Sequence, residues 1–480
     1  MNGAAEQVLP GTLARDCGQE EGVSFQPSSG LPCLVASEPS LGRLRRGVRA
    51  AVASWRDPLA RNGLFLMATT VVNSGFGYIF WVLAAHRFDA ATVGVATATF
   101  SAATLASVVG DLGLRTWMMQ VLPTRQSAGE WSSTVSAALV LGALSSALVG
   151  ASTWVLLGAV TPAFRDYAAG GLALCFVLTS MAFTLSQLLD GVSTASQRGE
   201  QVFRRNATNA VIRVLLLGGL MVAPSQLGRV HGYAISLAIM TAALASVGVG
   251  ISVQLRALMP GWRFSTRCAV ATLTSGARNM VGHHLLNLGG MLPMYVLPLE
   301  VVSRLSPADN AYFYLTWMIG GLFLTVSPTI ATVMFVRIRE DPARARAETR
   351  RAAALISALL VPVGLVCLVF GRPVLSLFGS AYARHGFGLL ALLVLSSVPD
   401  AITNIRIGQL RAGVRLGVGA ALNLGMATVA VAGAWVLLPR MGIAGAGLAW
   451  LVAQSLGCVF VGVDVMRSRA TRGAVIAGPS

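Results

Sequence analysis

The sequence is poor in charged residues. Only 11% of its 480 residues are Asp, Glu, Lys or Arg, whereas 55% are hydrophobic and the mean hydropathy is +0.69. Soluble globular domains carry about 25% charged residues. A composition this apolar excludes a soluble globule and indicates a protein with several membrane-spanning segments.

Lysine is absent, so all 36 basic residues are arginine. The net charge of +17 does not indicate nucleic-acid binding, because the arginines lie between apolar runs. Cytoplasmic loops of membrane proteins carry their positive charge in this way. We therefore expect no nucleic-acid partner.

The six cysteines are scattered and form no CxxC pair, so neither a zinc site nor a disulfide framework is supported. The glycine-rich patches lie inside apolar runs, without the strand and phosphate loop that a nucleotide-binding motif requires. Nucleotide hydrolysis as an energy source is therefore unsupported. We expect no metal, no cofactor and no enzymatic activity.

Long apolar runs are what the sequence has in abundance. The stretch from Asn62 to Pro123 contains two, separated by the short charged break from His86 to Asp89. Each exceeds the roughly 20 residues that a helix needs to cross a bilayer core. We predict two membrane-spanning helices joined by a tight hairpin. Ten further spans are predicted at 131–159, 167–189, 206–223, 231–253, 276–299, 309–336, 352–371, 385–402, 416–438 and 442–465.

The positions of the arginines support this count independently of hydropathy. With both termini inside, 26 of the 36 arginines fall in cytoplasmic segments and seven in the opposite loops. One span missed early in the chain would invert every later loop. The expected topology is twelve helices with cytoplasmic N and C termini.

The second half of the chain repeats the layout of the first. A shift of 217 positions places Arg61 and Asn62 on Arg278 and Asn279, and the break at Phe88 on the one at Leu305. Because six is an even number, both halves enter the membrane from the same side. This predicts two parallel six-helix repeats, an arrangement known from transporters that open alternately to either side. The predicted lobes are 62–265 and 266–466.

Three segments flank these lobes. Residues 1–40 are rich in Gly, Ser, Pro and Glu and are expected to form a disordered cytoplasmic tail, and residues 467–480 a second cytoplasmic tail. Residues 41–61 place apolar side chains at helical spacing between arginines. This predicts a basic amphipathic helix on an anionic leaflet, and an ordinary positive-inside anchor has the same pattern.

The sequence also resembles a known family. The segments NGLFLMATTVVNSGFGYIFWVLAAHRFDAATVGVATATFS at 62–101 and PDAITNIRIGQLRAGVR at 399–415 resemble polysaccharide flippases of the multidrug/oligosaccharidyl-lipid/polysaccharide exporter superfamily. The resemblance covers residues 60–466 and implies a MATE-like bundle of six plus six helices around a central cavity. It also implies a flippase that moves lipid-linked sugar precursors across the bacterial plasma membrane by alternating access, with glycan-assembly enzymes and membrane lipids as partners.

Moving a lipid-linked glycan requires polar groups and positive charge inside the bundle. In the seventh span Asn279, His283 and Asn287 recur every four residues and so share one helical face. Arg278 adjoins this face. We interpret it as a ligand for the substrate's pyrophosphate, and an interfacial anchor equivalent to Arg61 is the alternative.

Two further stripes are candidates for substrate contact. The first span carries Asn62, Thr70 and Asn73, and the fifth carries Asn206, Asn209 and Arg213. Hydrogen bonds between helices would explain the same asparagines, and also the adjacent pair His283 and His284, for which a metal or proton role is the other interpretation.

Two of the acidic residues in the apolar runs could serve ion coupling. Asp111 and Arg115 are four residues apart, which favours a local ion pair over an ion-coupling site. Asp400 follows a proline in the tenth span and is the candidate for cation coupling.

Three functions remain open at this point. The first is a flippase for a polyprenyl-linked oligosaccharide or a related cell-surface glycan precursor. The second is a cation-coupled multidrug exporter of the same fold, which the scarcity of acids in the apolar cores disfavours. The third is a membrane scaffold for a glycan-assembly complex that does not itself transport.

Overall fold

Twelve long helices make up most of the described part of the chain. The computed structural model describes residues 58–125, 127–161, 164, 172–222, 233–265, 269–413 and 415–476. The predicted tail at 1–40 and all but the last four residues of the predicted segment 41–61 lie outside these ranges, so both stay predictions.

The helices follow the predicted spans in order. In the first half they are α1 Pro58–Arg87, α2 Ala90–Gly110, α3 Ala128–Val160, α4 Leu172–Ala195, α5 Gly199–Val222 and α6 Ala234–Leu258. In the second they are α7 Ala269–Arg304, α8 Pro307–Glu340, α9 Ala345–Ser376, α10 Ser380–Ala412, α11 Leu416–Met441 and α12 Ile443–Ile476.

Two smaller features complete the helical description. A short helix, Leu114–Val121, connects α2 to α3, and a π-helical turn, Gly250–Gln254, lies within α6. Helix α12 continues to Ile476, so the predicted C-terminal tail at 467–480 begins as helix. The described residues contain no strand. The predicted all-α class, a twelve-helix membrane bundle, is confirmed.

Matching N-caps begin α2 and α8. The carboxylate of Asp89 accepts hydrogen bonds from the backbone N–H of Thr92 at 3.1 Å and from its hydroxyl at 2.6 Å. Ser306, 217 positions later, accepts the backbone N–H of Asp309 at 3.1 Å. A side-chain oxygen at this position satisfies an N–H group that has no partner within the helix. Both hairpins therefore turn at the predicted breaks.

Ten of the twelve described helices contain an apolar stretch long enough to cross a membrane. The other two, α5 and α7, have 24 and 36 residues. At about 1.5 Å per residue both are long enough to span a bilayer core of about 30 Å, but polar residues interrupt them. Both helices carry arginine and asparagine within the run, as at Arg213 and Asn209 of α5. Polar side chains at membrane depth belong against the interior of a bundle.

The main helix pairings of the first half recur in the second. In the first half α1 packs on α5, α2 on α3 and α4, α3 on α4, and α6 on α4 and α5. In the second half α7 packs on α11, α8 on α9 and α10, α9 on α10, and α12 on α10 and α11. Each pairing is its counterpart shifted by six helices. The predicted repeat is therefore present in the packing, while the lobe boundary at residues 265 and 266 stays a prediction.

The two halves meet where α2 and α8 begin. We call this side, where the α1–α2 and α7–α8 hairpins turn, the hairpin end, and the opposite side, where α1 begins, the terminal end. A Cβ on Gly94 would lie 1.6 Å from the carbonyl oxygen of Pro307, so only glycine fits there. The buried Asn310 amide donates to the Gly94 carbonyl at 2.8 Å and to the Thr97 hydroxyl at 3.0 Å.

Helix α1 packs against the other half differently from its counterpart α7. Helix α7 lies along α2 and α3, but α1 makes no comparable backbone packing along α8 in the described residues. Near the hairpin end the rings of Tyr78 and Phe378 are 4.9 Å apart, and those of Trp81 and Tyr314 are 5.4 Å apart. Nearer the terminal end α1 is exposed, as at Val71, which is 71% exposed. This part of α1 is therefore exposed and does not pack along α8 in the described residues.

Candidate functional site

Arg213 lies at membrane depth between the two halves. It follows Gly199 by fourteen residues, which places it about 21 Å along α5 at about 1.5 Å per residue. Its guanidinium lies over the ring of Phe80 on α1, 4.9 Å from the centroid. Its Nε is buried and finds no hydrogen-bond partner, and no carboxylate of the described residues forms an ion pair with it. Among the residues that the structure describes, this arginine is therefore a cation without a counter-charge.

Further aromatic rings from both halves pack around Phe80, the ring that contacts this cation. Trp81 contacts Phe80 at 5.2 Å and Tyr314 of α8 at 5.4 Å between ring centroids. Phe100 of α2 lies 6.3 Å from Tyr314, which is also within electrostatic range of Arg213. We call Arg213, Phe80, Trp81, Phe100 and Tyr314 the Arg213 cluster. Because ring faces attract cations, the cluster holds the guanidinium in place without neutralising it.

A separate ion pair lies two turns before Arg213 on the same helix. Arg205 is only 2% exposed and donates to the Asp190 carboxylate of α4 at 2.6 Å and to the Ser246 hydroxyl of α6 at 3.1 Å. Asn206 donates to the same carboxylate at 3.0 Å. These contacts join α4, α5 and α6 and neutralise Asp190. The prediction that Asn206 bonds across helices is confirmed by this hydrogen bond.

The predicted stripe on α5 therefore divides into two parts. Asn206 belongs to the Asp190 ion pair, whereas Arg213 belongs to the aromatic cluster. Asn209 lies between them, one turn before Arg213, and is partly exposed. Its contact with substrate stays a prediction.

The predicted stripe on α1 divides in the same way. The Asn62 side chain accepts the backbone N–H of Gly199 at 2.5 Å and donates to Gln197 at 3.3 Å, which fastens the start of α1 to the α4–α5 turn. Thr70 is exposed and donates its hydroxyl to the Leu66 carbonyl at 3.3 Å. Arg61 and Asn73 are also exposed. Thr70 and Asn73 lie on the exposed part of α1 that does not pack along α8 in the described residues.

The remaining predicted binding residues lie on α7, in the part nearer its first residue. They are Arg278, Asn279, His283 and Asn287. Their side chains lie outside the described part of the structure, so their roles stay predictions. The neighbouring His284 lies within electrostatic range of Asp111, which places this part of α7 beside the end of α2.

Asp111 and Arg115 interact locally, as expected, but they form no close salt bridge among the described residues. The Asp111 carboxylate accepts the backbone N–H of Arg115 at 3.3 Å, and the Arg115 guanidinium attracts it electrostatically. The Arg115 side chain packs on Gly191 of α4, where a Cβ on the glycine would lie 2.7 Å from the Arg115 Cγ.

Asp400 is buried inside the second half. It is 4% exposed, and its Oδ2 finds no hydrogen-bond partner among the described residues. Ser327 of α8 and Asn404 of α10 lie beside the carboxylate. The Thr403 hydroxyl donates to the Gln454 amide oxygen of α12 at 3.1 Å. A buried carboxyl among oxygen-bearing side chains of three helices can take up a proton or a small cation.

Sequence reasoning found Arg213 and Asp400 but missed Asp190 and Arg205. The sequence did contain a signal for this pair. Asp190 lies at the end of the fourth span and Arg205 at the start of the fifth, so both lie beside the same loop. The ring of Tyr314 beside Arg213 was not predictable, since residues 213 and 314 belong to different halves.

The comparisons with known proteins concern the fold. No protein-family model matches the chain, and no curated protein sequence matches it. Solved structures do match. One is the lipid II flippase MurJ in its inward closed conformation, with a TM-score of 0.66 and 14% identity over 84% of this chain and 87% of that one.

Two MATE transporters match over a similar length. The eukaryotic MATE transporter AtDTX14 has a TM-score of 0.60 and 17% identity, over 85% of this chain and 96% of its own. An inward-facing MATE multidrug resistance transporter has a TM-score of 0.59 and 15% identity, over 86% and 96%. At such low identity the likeness concerns the fold alone. The chain is similar in fold to these transporters of the MOP superfamily.

Proposed function

We propose that this chain is a flippase that carries a polyprenyl-linked oligosaccharide, or a related cell-surface glycan precursor, from the inner to the outer leaflet by alternating access. The observation that carries the proposal is Arg213, a cation at membrane depth between the two halves with no counter-charge among the described residues. In this proposal the substrate's pyrophosphate is the missing anion.

The energetics favour a charged substrate at this position. An arginine at the bilayer centre costs about 2.5 to 3.5 kcal/mol on insertion scales. A desolvated cation–π contact such as that with Phe80 returns about 2 kcal/mol. A guanidinium that meets a phosphate forms two parallel charge-assisted hydrogen bonds. An anionic headgroup therefore lowers the free-energy cost of placing Arg213 at membrane depth, which the contact with Phe80 offsets only in part.

The exposure of α1 supports a lipid-linked substrate. Helix α1 is exposed nearer the terminal end, and the polar residues Thr70 and Asn73 lie on this exposed part. A headgroup can enter beside α1 while its hydrocarbon chain remains in the lipid. A soluble substrate would not need such lateral access.

The closed hairpin end supports the direction of transport. The contacts of Gly94, Pro307 and Asn310 join the halves there, and the arginine distribution predicts that this end faces away from the cytoplasm. We accordingly place the protein in the bacterial inner membrane with both termini cytoplasmic. Glycan-assembly enzymes would supply the substrate on that side.

A cation-coupled multidrug exporter is the second candidate. The buried Asp400 carboxyl favours it, because ion-coupled exporters need an acid at membrane depth. Asp400 is equally suited to drive a flippase, whereas Arg213 would repel a cationic drug. We therefore rank the flippase first.

Equilibrium binding tests the proposal. Purified protein is titrated with a short-chain polyprenyl pyrophosphate, the matching monophosphate and the matching alcohol, and the fluorescence of Trp81 in a background without other tryptophans reports binding. We expect the pyrophosphate to bind tightest, and Arg213→Ala to weaken it at least tenfold while leaving the alcohol unchanged. Arg440→Ala, at the exposed end of α11, is the control. Equal binding of all three ligands to wild type, or unchanged binding to Arg213→Ala, would contradict the proposal.

A further inference from the structure

A lipid-facing groove lies between α7 and α11, away from the Arg213 cluster. It encloses about 620 Å³. Its wall runs along α11 from Leu424 to Val436 and faces Leu292 of α7. Leu424 and Val436 are twelve residues apart, which corresponds to about 18 Å along the helix axis. Leu424 and Val436 are both exposed, so the groove opens outward from the bundle.

The end of the groove nearest the hairpin end is polar. Glu300 of α7 lines it and is 7% exposed, and its Oε2 is buried without a hydrogen-bond partner among the described residues. One turn later, the Arg304 guanidinium lies over the Trp435 ring of α11, 4.5 Å from the centroid. Arg304 and Trp435 are both exposed, as is usual at a membrane interface. One end of an apolar groove therefore carries both an acid and a base.

The repeat indicates that the acid is not needed for the fold. At the offset of 217, Arg304 corresponds to Arg87, whereas Glu300 corresponds to Leu83. Leucine therefore fulfils the structural role of this position in the first hairpin. Arg304 attracts the Glu300 carboxylate electrostatically, but the buried Oε2 finds no hydrogen-bond donor among the described residues. A buried oxygen left in this way is unfavourable, so a donor from a bound molecule would stabilise it.

We propose that this groove binds one phospholipid whose headgroup carries both a phosphate and a primary amine. The hydrocarbon chain lies along the apolar wall of α11, the phosphate meets Arg304, and the ammonium group donates hydrogen bonds to Glu300. An anionic headgroup without an amine would bring like charge to Glu300. A trimethylated amine has no N–H to donate. A headgroup with both a phosphate and a primary amine satisfies both side chains.

Native mass spectrometry tests this proposal. The protein is purified from vesicles of phosphatidylethanolamine, phosphatidylglycerol and phosphatidylcholine, and the retained lipid is identified. We expect wild type to retain one phosphatidylethanolamine, and Glu300→Gln to bind it about tenfold more weakly, which is the loss of one charge-assisted hydrogen bond. Ala432→Phe, which fills the groove, is expected to lose every phospholipid class.

Two variants serve as matched controls. Glu130→Gln removes an exposed acid at the start of α3, and Ala421→Phe adds a ring to an exposed position of α11 outside the groove. Both are expected to retain lipid as wild type does. The proposal is wrong if Glu300→Gln keeps the preference for phosphatidylethanolamine, if wild type has no such preference, or if Na⁺ rather than the amine lipid stabilises wild type over Glu300→Gln. These experiments measure lipid retention, so their outcome does not depend on whether Arg213 binds a pyrophosphate.

Discussion

Replacing Gly94 by alanine is expected to separate α2 from α8 at the hairpin end. The added Cβ would lie 1.6 Å from the Pro307 carbonyl oxygen and 2.4 Å from its carbonyl carbon, and both are backbone atoms that no rotamer change can move. Removing this overlap requires the two helices to move apart. The movement breaks the hydrogen bonds of Asn310, whose side chain is 0% exposed, to the Gly94 carbonyl and the Thr97 hydroxyl.

The expected magnitude follows from these two losses. Overpacking a tight contact costs about 1 to 3 kcal/mol, and a buried amide left without partners costs about 1 to 3 kcal/mol. The closed hairpin end is therefore disfavoured by about 2 kcal/mol at the least. That corresponds to a roughly 30-fold fall in the ratio of closed to open hairpin ends, since about 1.4 kcal/mol is a factor of ten.

Cross-linking with a short bifunctional thiol reagent measures this ratio. Tyr78→Cys and Phe378→Cys replace two rings whose centroids are 4.9 Å apart, in a variant that lacks the six native cysteines, and the reagent spans the gap that the smaller side chains leave. Gly94→Ala is expected to slow cross-linking about 30-fold. Gly248→Ala is the control, because a Cβ there meets nothing within 4 Å. An unchanged cross-linking rate in Gly94→Ala would refute the claim that the Gly94 contact holds this end closed.

Three further predictions concern single acidic residues. Asp190→Asn leaves Arg205 buried without its ion-pair partner at 2.6 Å, so thermal unfolding in detergent should show a loss of about 3 to 5 kcal/mol, and an unchanged melting temperature would contradict this. Asp400→Asn should abolish the dependence of transport on a proton or Na⁺ gradient while headgroup binding remains, and a variant with unaltered gradient dependence would exclude Asp400 as the coupling group. Burial raises the pKa of Asp89, but the hydrogen bonds from Thr92 outweigh it and hold that pKa below its usual value. Asp89 therefore stabilises the fold above its ordinary pKa and loses this contribution as pH falls through the lowered value. The stability difference between wild type and Asp89→Ala, about 1 kcal/mol at neutral pH, should narrow on acidification, and a difference that widens would refute this sign.

Hydropathy and arginine positions were sufficient to predict the twelve helices, because the bilayer imposes a length and a charge bias that a single sequence records. The breaks before Ala90 and Pro307 were also predictable, since each contains a capping side chain. The duplicated pairings followed from the offset of 217 residues. These features depend on local sequence or on its repetition.

Contacts between distant residues were not predictable. The pairing of Asn310 with Gly94 joins residues 216 positions apart, and no local pattern distinguishes Gly94 from the other glycines. The different packing of α1 and α7 breaks the repeat, so a matching sequence pattern cannot reveal it. Glu300 was missed because its significance depends on a gap between α7 and α11.

Flipping in reconstituted vesicles tests the central claim most directly. A polyprenyl pyrophosphate that carries a labelled sugar is placed in both leaflets, and a membrane-impermeant quencher reports how fast the protected label becomes accessible. We predict rapid exposure with wild type and exposure at the rate of protein-free vesicles with Arg213→Ala, while Arg440→Ala matches wild type. Wild-type rates in the Arg213→Ala vesicles would show that the cation between the two halves does not carry the headgroup.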